Sequence, residues 1–262
     1  MCFTSQFKMK FNETIAISTP KVLLVPYDAH HVPQYHTWME DAAIREATAS
    51  DRLTLDEEYE NQTSWRTSAD KLTFIVCKPL ESIPAVAVIA GEADDNERMV
   101  GDINMFLTPW EEDEAAEDGE TQHAAGVPLS MTNRIDASAQ RYCVGEVDIM
   151  IADTANRGKG LGRAAVSTLL WFIRRNVSAI LAEYAASTEE KNNLEMKELL
   201  VRIQATNEGS QALFRGLGFE RRGDINYFGE VEMVLKNFNH GEGIKRVEGY
   251  GELSFDRSKL PN

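Results

Sequence analysis

"EVDIMIADTANRGKGLGRAAV", residues 146–166, decides how this chain is read. An apolar, β-branched run ends near Ala152, and apolar residues at helical spacing begin near Gly160. Between them Gly158, Gly160 and Gly162 alternate with Lys159 and Leu161, flanked by Arg157 and Arg163. The first turn of a helix leaves backbone N–H groups without partners and carries the positive end of the helix dipole. Glycines bare that backbone, so a diphosphate can come close to it. The stretch predicts a strand, a tight turn and a helix whose start holds a phosphate-bearing ligand.

Other readings of the loop stand beside this one. It could be a tight turn that binds nothing. A P-loop is set aside, because no G-K-[ST] follows at the needed spacing. Gly160-Leu161-Gly162-Arg163-Ala164-Ala165 does fit the dinucleotide pattern G-x-G-x-x-A, and Glu183 lies downstream where a ribose-binding acid would stand. Against that reading, the loop sits in mid-chain. Glu146 and Asp148 also interrupt a strand that should be almost wholly apolar in a parallel sheet.

Outward from the loop, strands are expected at 21–29, 71–79, 98–108, 142–152 and 199–207, with a hairpin over 219–238. Helices are expected at 32–40, 54–70, 162–177 and 208–218, with Thr54 as an N-cap ahead of an acidic first turn. The order is that of an α/β (α+β layered) domain around one mixed sheet. The expected organisation is an N-terminal extension (1–20), a domain (21–238) and an unstructured C-terminal tail (239–262). Residues 80–97 read as a loop. Residues 109–140 read as an acidic, disordered insertion and 182–198 as a second, polar one.

A chain of 262 residues with 43% hydrophobic content can bury a full core. Its net charge of -15 argues against direct nucleic-acid binding, which needs clustered Lys and Arg. Seven acids fall in 111–120 alone, a run that suits a basic partner. Cys2, Cys77 and Cys143 form no metal or disulfide pattern, so a reduced cytoplasmic or nuclear setting is expected. No membrane span or signal sequence is apparent. His30, His31 and His36 have no ligand spacing and read as packing or surface residues, so no metal is expected.

Two motifs carry a resemblance. Arg157-Gly158-Lys159-Gly160-Leu161-Gly162 resembles the Q/R-x-x-G-x-G/A pyrophosphate loop of the GNAT (GCN5-related) acetyltransferases. "NEGSQALFRGLGF" (207–219) resembles a later segment of the same superfamily, in the right order. "KVLLVPYDAHHVPQYHTWM", "GDINMFL" and "GEVDIMIADTANRGKGLG" are similar to its N-acetyltransferase-nine-like branch.

The resemblance implies a GNAT fold of about six to seven strands, with helices on both faces and a splay between the fourth and fifth strands, here 142–152 and 199–207. It implies acetyl-CoA as co-substrate. The pyrophosphate would lie on the amides of Arg157, Gly158, Lys159, Gly160, Leu161 and Gly162, with Arg163 nearby. The pantetheine arm would run beside Met150, Ile151 and Ala152, and an amide there would meet the thioester oxygen as it gains charge. Asn207 is placed to contact the cofactor arm, and equally to cap the next helix.

An amine attacks only when neutral, and most amines are protonated at pH 7. A base is therefore needed. Glu146, eleven residues before Arg157, stands where some GNAT enzymes present a glutamate base; Asp148 is the second candidate. A salt-bridged strand acid is the plain alternative for Glu146. Phe214 occupies the position where many GNAT enzymes carry a tyrosine acid, so the usual proton donor to the thiolate is missing. The expected function is acetyl-CoA-dependent N-acetyl transfer to an amine, with a protein acceptor. The alternative is an acetyl-CoA-binding protein acting through contacts with other proteins, cytoskeletal ones among them. An NAD-binding oxidoreductase stands a distant third.

Overall fold

The computed structural model describes residues 9, 11–84, 86–110, 140–188, 194–236, 238 and 244–260. Among these described residues ten strands form one sheet: β1 (Ile15–Ser18), β2 (Leu23–Pro26), β3 (Lys71–Cys77), β4 (Val88–Ile89), β5 (Met99–Pro109), β6 (Arg141–Ile151), β7 (Leu194–Gln204), β8 (Glu220–Arg222), β9 (Glu230–Leu235) and β10 (Gly251–Asp256). Their order is β4-β10-β1-β2-β3-β5-β6-β7-β9-β8. The helices are α1 (Val32–Met39), α2 (Ala42–Ala47), α3 (Leu55–Thr67), α4 (Leu161–Ser187) and α5 (Glu208–Arg215).

Helices cover both faces, as expected. On β3, Leu72, Phe74 and Val76 join one core with Leu169, Phe172 and Ile173 of α4. Ile75 and Cys77 point the other way, into a core with Val32, Tyr35 and Met39 of α1. A strand buried on both faces reads as a continuous apolar run, which is what "KLTFIVC" shows. The α3 start is also as expected. The Thr54 hydroxyl accepts the Glu57 N–H at 3.3 Å, and the Thr54 N–H donates to Glu57 Oε2 at 2.8 Å.

Several expectations are corrected. The sheet has ten strands rather than six or seven, so the splayed pair is β6 and β7 rather than the fourth and fifth strands. The N-terminal extension contributes β1. The tail, assigned no structure, supplies β10, which lies between β1 and β4; β4 itself falls in the expected loop 80–97. These strands are two to six residues long, and the β1–β10 and β10–β4 pairings join segments far apart in sequence, so little local signal marks them. The 182–198 segment is not simply an insertion. Helix α4 runs on through Ser187, because Ile180, Leu181 and Tyr184 continue its apolar stripe, and β7 already begins at Leu194. Between those elements, 189–193 lie outside the described residues. So do 111–139, which hold most of the expected acidic insertion.

All neighbouring strands run antiparallel except β10–β4 and β6–β7. Helix α4 is the crossover that a parallel β6–β7 pair requires. Beside that pair β5 and β6 come unusually close. A Cβ built on Gly101 would stand 1.9 Å from the Met150 carbonyl oxygen. Gly101→Ala should therefore lower stability by about 1–3 kcal/mol, the usual range for overpacking. Urea denaturation checks this; an unchanged midpoint would show that the strands can part without cost.

Candidate active site

The sheet opens between β6 and β7. Strands β6 and β7 pair from Arg141↔Leu194 to Glu146↔Leu200 and no further. Beyond that point Val147–Ile151 stay with β5, while Val201–Gln204 stay with β9. The gap is the expected splay, and it lies just upstream of the glycine loop.

After β6, the Asp153 carboxylate accepts the Ala155 N–H at 2.8 Å and shapes a single helical turn over 154–156. The Arg157 guanidinium folds back onto the carbonyls of Ile151 (2.9 Å) and Ala152 (3.2 Å) and braces the strand end. Gly158 and Gly160 have φ of 72° and 80°, a region that side chains disfavour. Gly160 is the N-cap of α4 and has no side chain to offer the first-turn amides. Those amides are left for a ligand. Gly162 lets the loop pack on α5, where an added Cβ would come 3.2 Å from Leu213. Arg163 donates to the Gly216 carbonyl at 2.8 Å and ties the loop to the end of α5. Lys159 is exposed and makes no ion pair among the described residues. The set fits a pyrophosphate: bare amides, a helix start, and one uncommitted cation in an acidic protein.

A groove of about 420 Å³ passes through the splay. On one face of the sheet it is lined by Glu146, Asp148, Asp102 and Asn104, with Tyr35 and Trp65 from α1 and α3. On the other it reaches Asn207, Ser210 and Phe214. Thr48–Ser50 form part of its wall, and Ala49 sits there with a left-handed φ of 49°. Asn207 is the N-cap of α5, accepting the Ser210 N–H at 3.1 Å, and it also lines the groove. Phe214 is buried edge-on against Phe219, with centroids 5.1 Å apart. It has no proton to give.

The two candidate bases differ in their surroundings. Glu146 is ion-paired to Arg202 of β7. Arg202 also meets Glu232 at 3.1 Å, and Glu232 meets Arg222 at 2.6 Å, so alternating charges run across β6, β7, β9 and β8. Burial pushes the Glu146 carboxyl up, and Arg202 opposes the shift. The Asp148 carboxylate makes no hydrogen bond or ion pair among the described residues. It is open to solvent through the groove, yet protein crowds it closely. That desolvation pushes its carboxyl up to about 6, helped by the charges of Glu146 and Glu230.

Asp102, Asn104, Tyr35, Trp65 and Arg202 did not figure among the expected site residues. "GDINMFL" does carry a signal for two of them, polar residues at alternate positions in an apolar strand. His30, His31 and Asp94 also come together. Both histidine Nε2 atoms lie against Asp94 Oδ2, at 3.1 and 2.9 Å. The cluster has the proximity of a metal site. However, His31 Nδ1 accepts the Asp28 N–H at 3.0 Å, so the proton of the neutral ring is on Nε2 and points at Asp94. The trio therefore reads as a hydrogen-bonded unit. Burial works against the Asp94 charge, but the two histidines outweigh it and hold that carboxyl well below its usual range.

A family model described as "Acetyltransferase (GNAT) domain" matches residues 21–220. The chain belongs to the GNAT acetyltransferase family. An N-acetyltransferase 9-like protein of Caenorhabditis briggsae is 36% identical, over 87% of this chain and 88% of its own. The alpha/beta-tubulin-N-acetyltransferase 9 of Drosophila melanogaster is 34% identical, over 86% and 88%. Among solved structures, spermidine N-acetyltransferase from Vibrio cholerae, in complex with CoA and spermine, shares the fold. Its TM-score is 0.52 at 11% identity, over 85% of this chain and 99% of that one. Membership makes this GNAT protein an acetyl-CoA-dependent N-acetyltransferase. Among its described residues, no helix is long and apolar enough to cross a membrane.

Proposed function

We propose that this enzyme acetylates an amine of a protein, tubulin being the first to test, and that Asp148 accepts the proton the amine sheds. The carboxylate of Asp148 carries this reading. It faces a groove that crosses the splay, no partner holds it among the described residues, and its pKa is displaced toward neutrality. Acetyl-CoA, once bound, supplies the activated acetyl group. The chain's own part is to hold the pyrophosphate at the start of α4, to admit the acceptor from the acidic face and to take its proton. Glu146, Asp148 and Glu230 in the groove wall suit an arriving ammonium. Support for tubulin comes from the relative that bears its name. Tubulin as acceptor supports a cytoplasmic setting.

The test offers tubulin dimers and free spermidine to the enzyme with isotopically labelled acetyl-CoA, followed by mass spectrometry of both. Labelled acetyl on tubulin is the expected result. Label on spermidine with none on tubulin would overturn the protein-acceptor reading.

Arg202 supports the base from a distance, since its charge lowers the Asp148 pKa. Arg202→Met should raise that ionisation, so the acidic limb of the log kcat profile moves to higher pH. A limb that stays in place would detach Asp148 from the profile.

A further inference from the structure

The groove holds a second carboxyl that the reading above leaves unused. Asp102 on β5 is only 6% exposed, yet it lines the groove. The β5–β6 register sets Asn104 opposite Asp148, and Asp102 opposite Met150 at the next pair on the same face. Diagonal neighbours on one face of such a ladder lie roughly 7–8 Å apart at the backbone, a span two side chains and one water can cross. Asn104 Nδ2 donates to Asp102 Oδ2 at 2.7 Å. The Tyr35 hydroxyl from α1 is a further polar neighbour, and Glu58 from α3 shares the surroundings of that tyrosine. Burial pushes the Asp102 carboxyl up to about 7; Asn104 and Tyr35 pull it down, while the Asp148 charge pushes it further up. Asp102 is thus a second carboxyl in the groove displaced toward neutrality, within reach of a proton that Asp148 gives up.

An ammonium acceptor sheds two protons on its way to an amide. One ends on the sulfur of the departing thiol, and the other must reach water. Asp148 can hold one at a time, and Phe214 offers none.

We propose that Asp102 is the second proton store of the transfer, a positioning residue that acts through Asp148. The inference rests on the reading of Asp148 as base. Asp148 takes the first proton from the ammonium and passes it to Asp102. The emptied Asp148 takes the second as the nitrogen–carbon bond forms. That proton goes to the sulfur as the carbon–sulfur bond breaks. Asp102 returns the first to water after the products leave. The balance is one ammonium and one thioester in, and one amide, one thiol and one proton out.

The experiment is log kcat against pH, with acetyl-CoA and tubulin saturating, for wild type, Asp102→Asn, Tyr35→Phe and Asp148→Asn. Two carboxylates must be empty at the start, so the wild-type acidic limb should approach a slope of two. Asp102→Asn should reduce that slope to one and lower kcat by about tenfold or more near neutrality. Its melting shift with acetyl-CoA should match wild type, which shows an intact fold. Tyr35→Phe keeps both carboxyls, so it should keep the slope of two while the upper ionisation moves to higher pH. A slope left unchanged by Asp102→Asn, or a loss constant with pH, would make Asp102 a packing residue and overturn the proposal. So would an upper ionisation that ignores Tyr35→Phe. If Asp148→Asn is inactive while Asp102→Asn behaves as wild type, the base stands and this inference falls. If Asp148→Asn remains active, or wild type shows no turnover, the reading beneath falls and takes this one with it.

Discussion

Asp148→Asn should lower kcat by roughly 10²–10⁴, the usual contribution of a general base. The substitution keeps size and polarity and removes the one property at issue. The acceptor must lose a proton to attack, and Asp148 faces the groove with no partner among the described residues. Affinity for acetyl-CoA should stay within twofold, because the glycine loop and the start of α4 are on the other side of the splay. A base with a pKa near 6 is ionised above that pH, so wild-type kcat should fall as pH drops through it. The defect of the variant should shrink as pH rises, when more acceptor is already neutral. Steady-state kinetics across pH checks each of these. A variant with full activity would return the role to Glu146, whose own Glu146→Gln change then becomes the decisive one.

The second large effect falls on the loop. Gly160→Glu should abolish the rise in melting temperature that acetyl-CoA gives the wild type. A ligand present at a hundred times its Kd and bound only to the native state contributes about 2.7 kcal/mol. Nothing lies within 4 Å of a Cβ at Gly160, so the side chain has room. The φ of 80° costs about 1–2 kcal/mol, which the fold can absorb. The carboxylate then competes for the amides that should meet the pyrophosphate. Gly160→Ala carries the same strain without the charge and should keep part of the response. If acetyl-CoA still shifts the Glu variant as it does wild type, the pyrophosphate does not lie on this loop.

The glycine loop could be read in the sequence because its signals are local. Positive φ, a bared backbone and a helix start all fall within a few residues. The core strands were legible for the same reason, as with "KLTFIVC". The remainder depends on partners distant in the chain. "GELSFD" becomes a strand only because β1 and β4 pair with it. Glu146 acquires its ion pair from a residue on β7. Asp102 alternates with Asn104 in an apolar strand, but only the register with β6 puts it in the same groove as Asp148. Helix α4 was cut short because its last turns carry their apolar residues among polar ones.

The position of β10 has a consequence for how this protein is made. Its hydrogen bonds join residues 251–256 to β1 and β4, so one flank of the sheet is assembled from segments translated at very different times. Closing so long a loop carries an entropic cost that local hairpins escape. On the ribosome, the β6–α4–β7 unit and its splay can form while the outer edge of β1 still has exposed N–H and C=O groups. That edge stays open on the nascent chain until residues 251–256 leave the exit tunnel. During this interval the half-built sheet presents an unpaired edge on which another extended segment can pair.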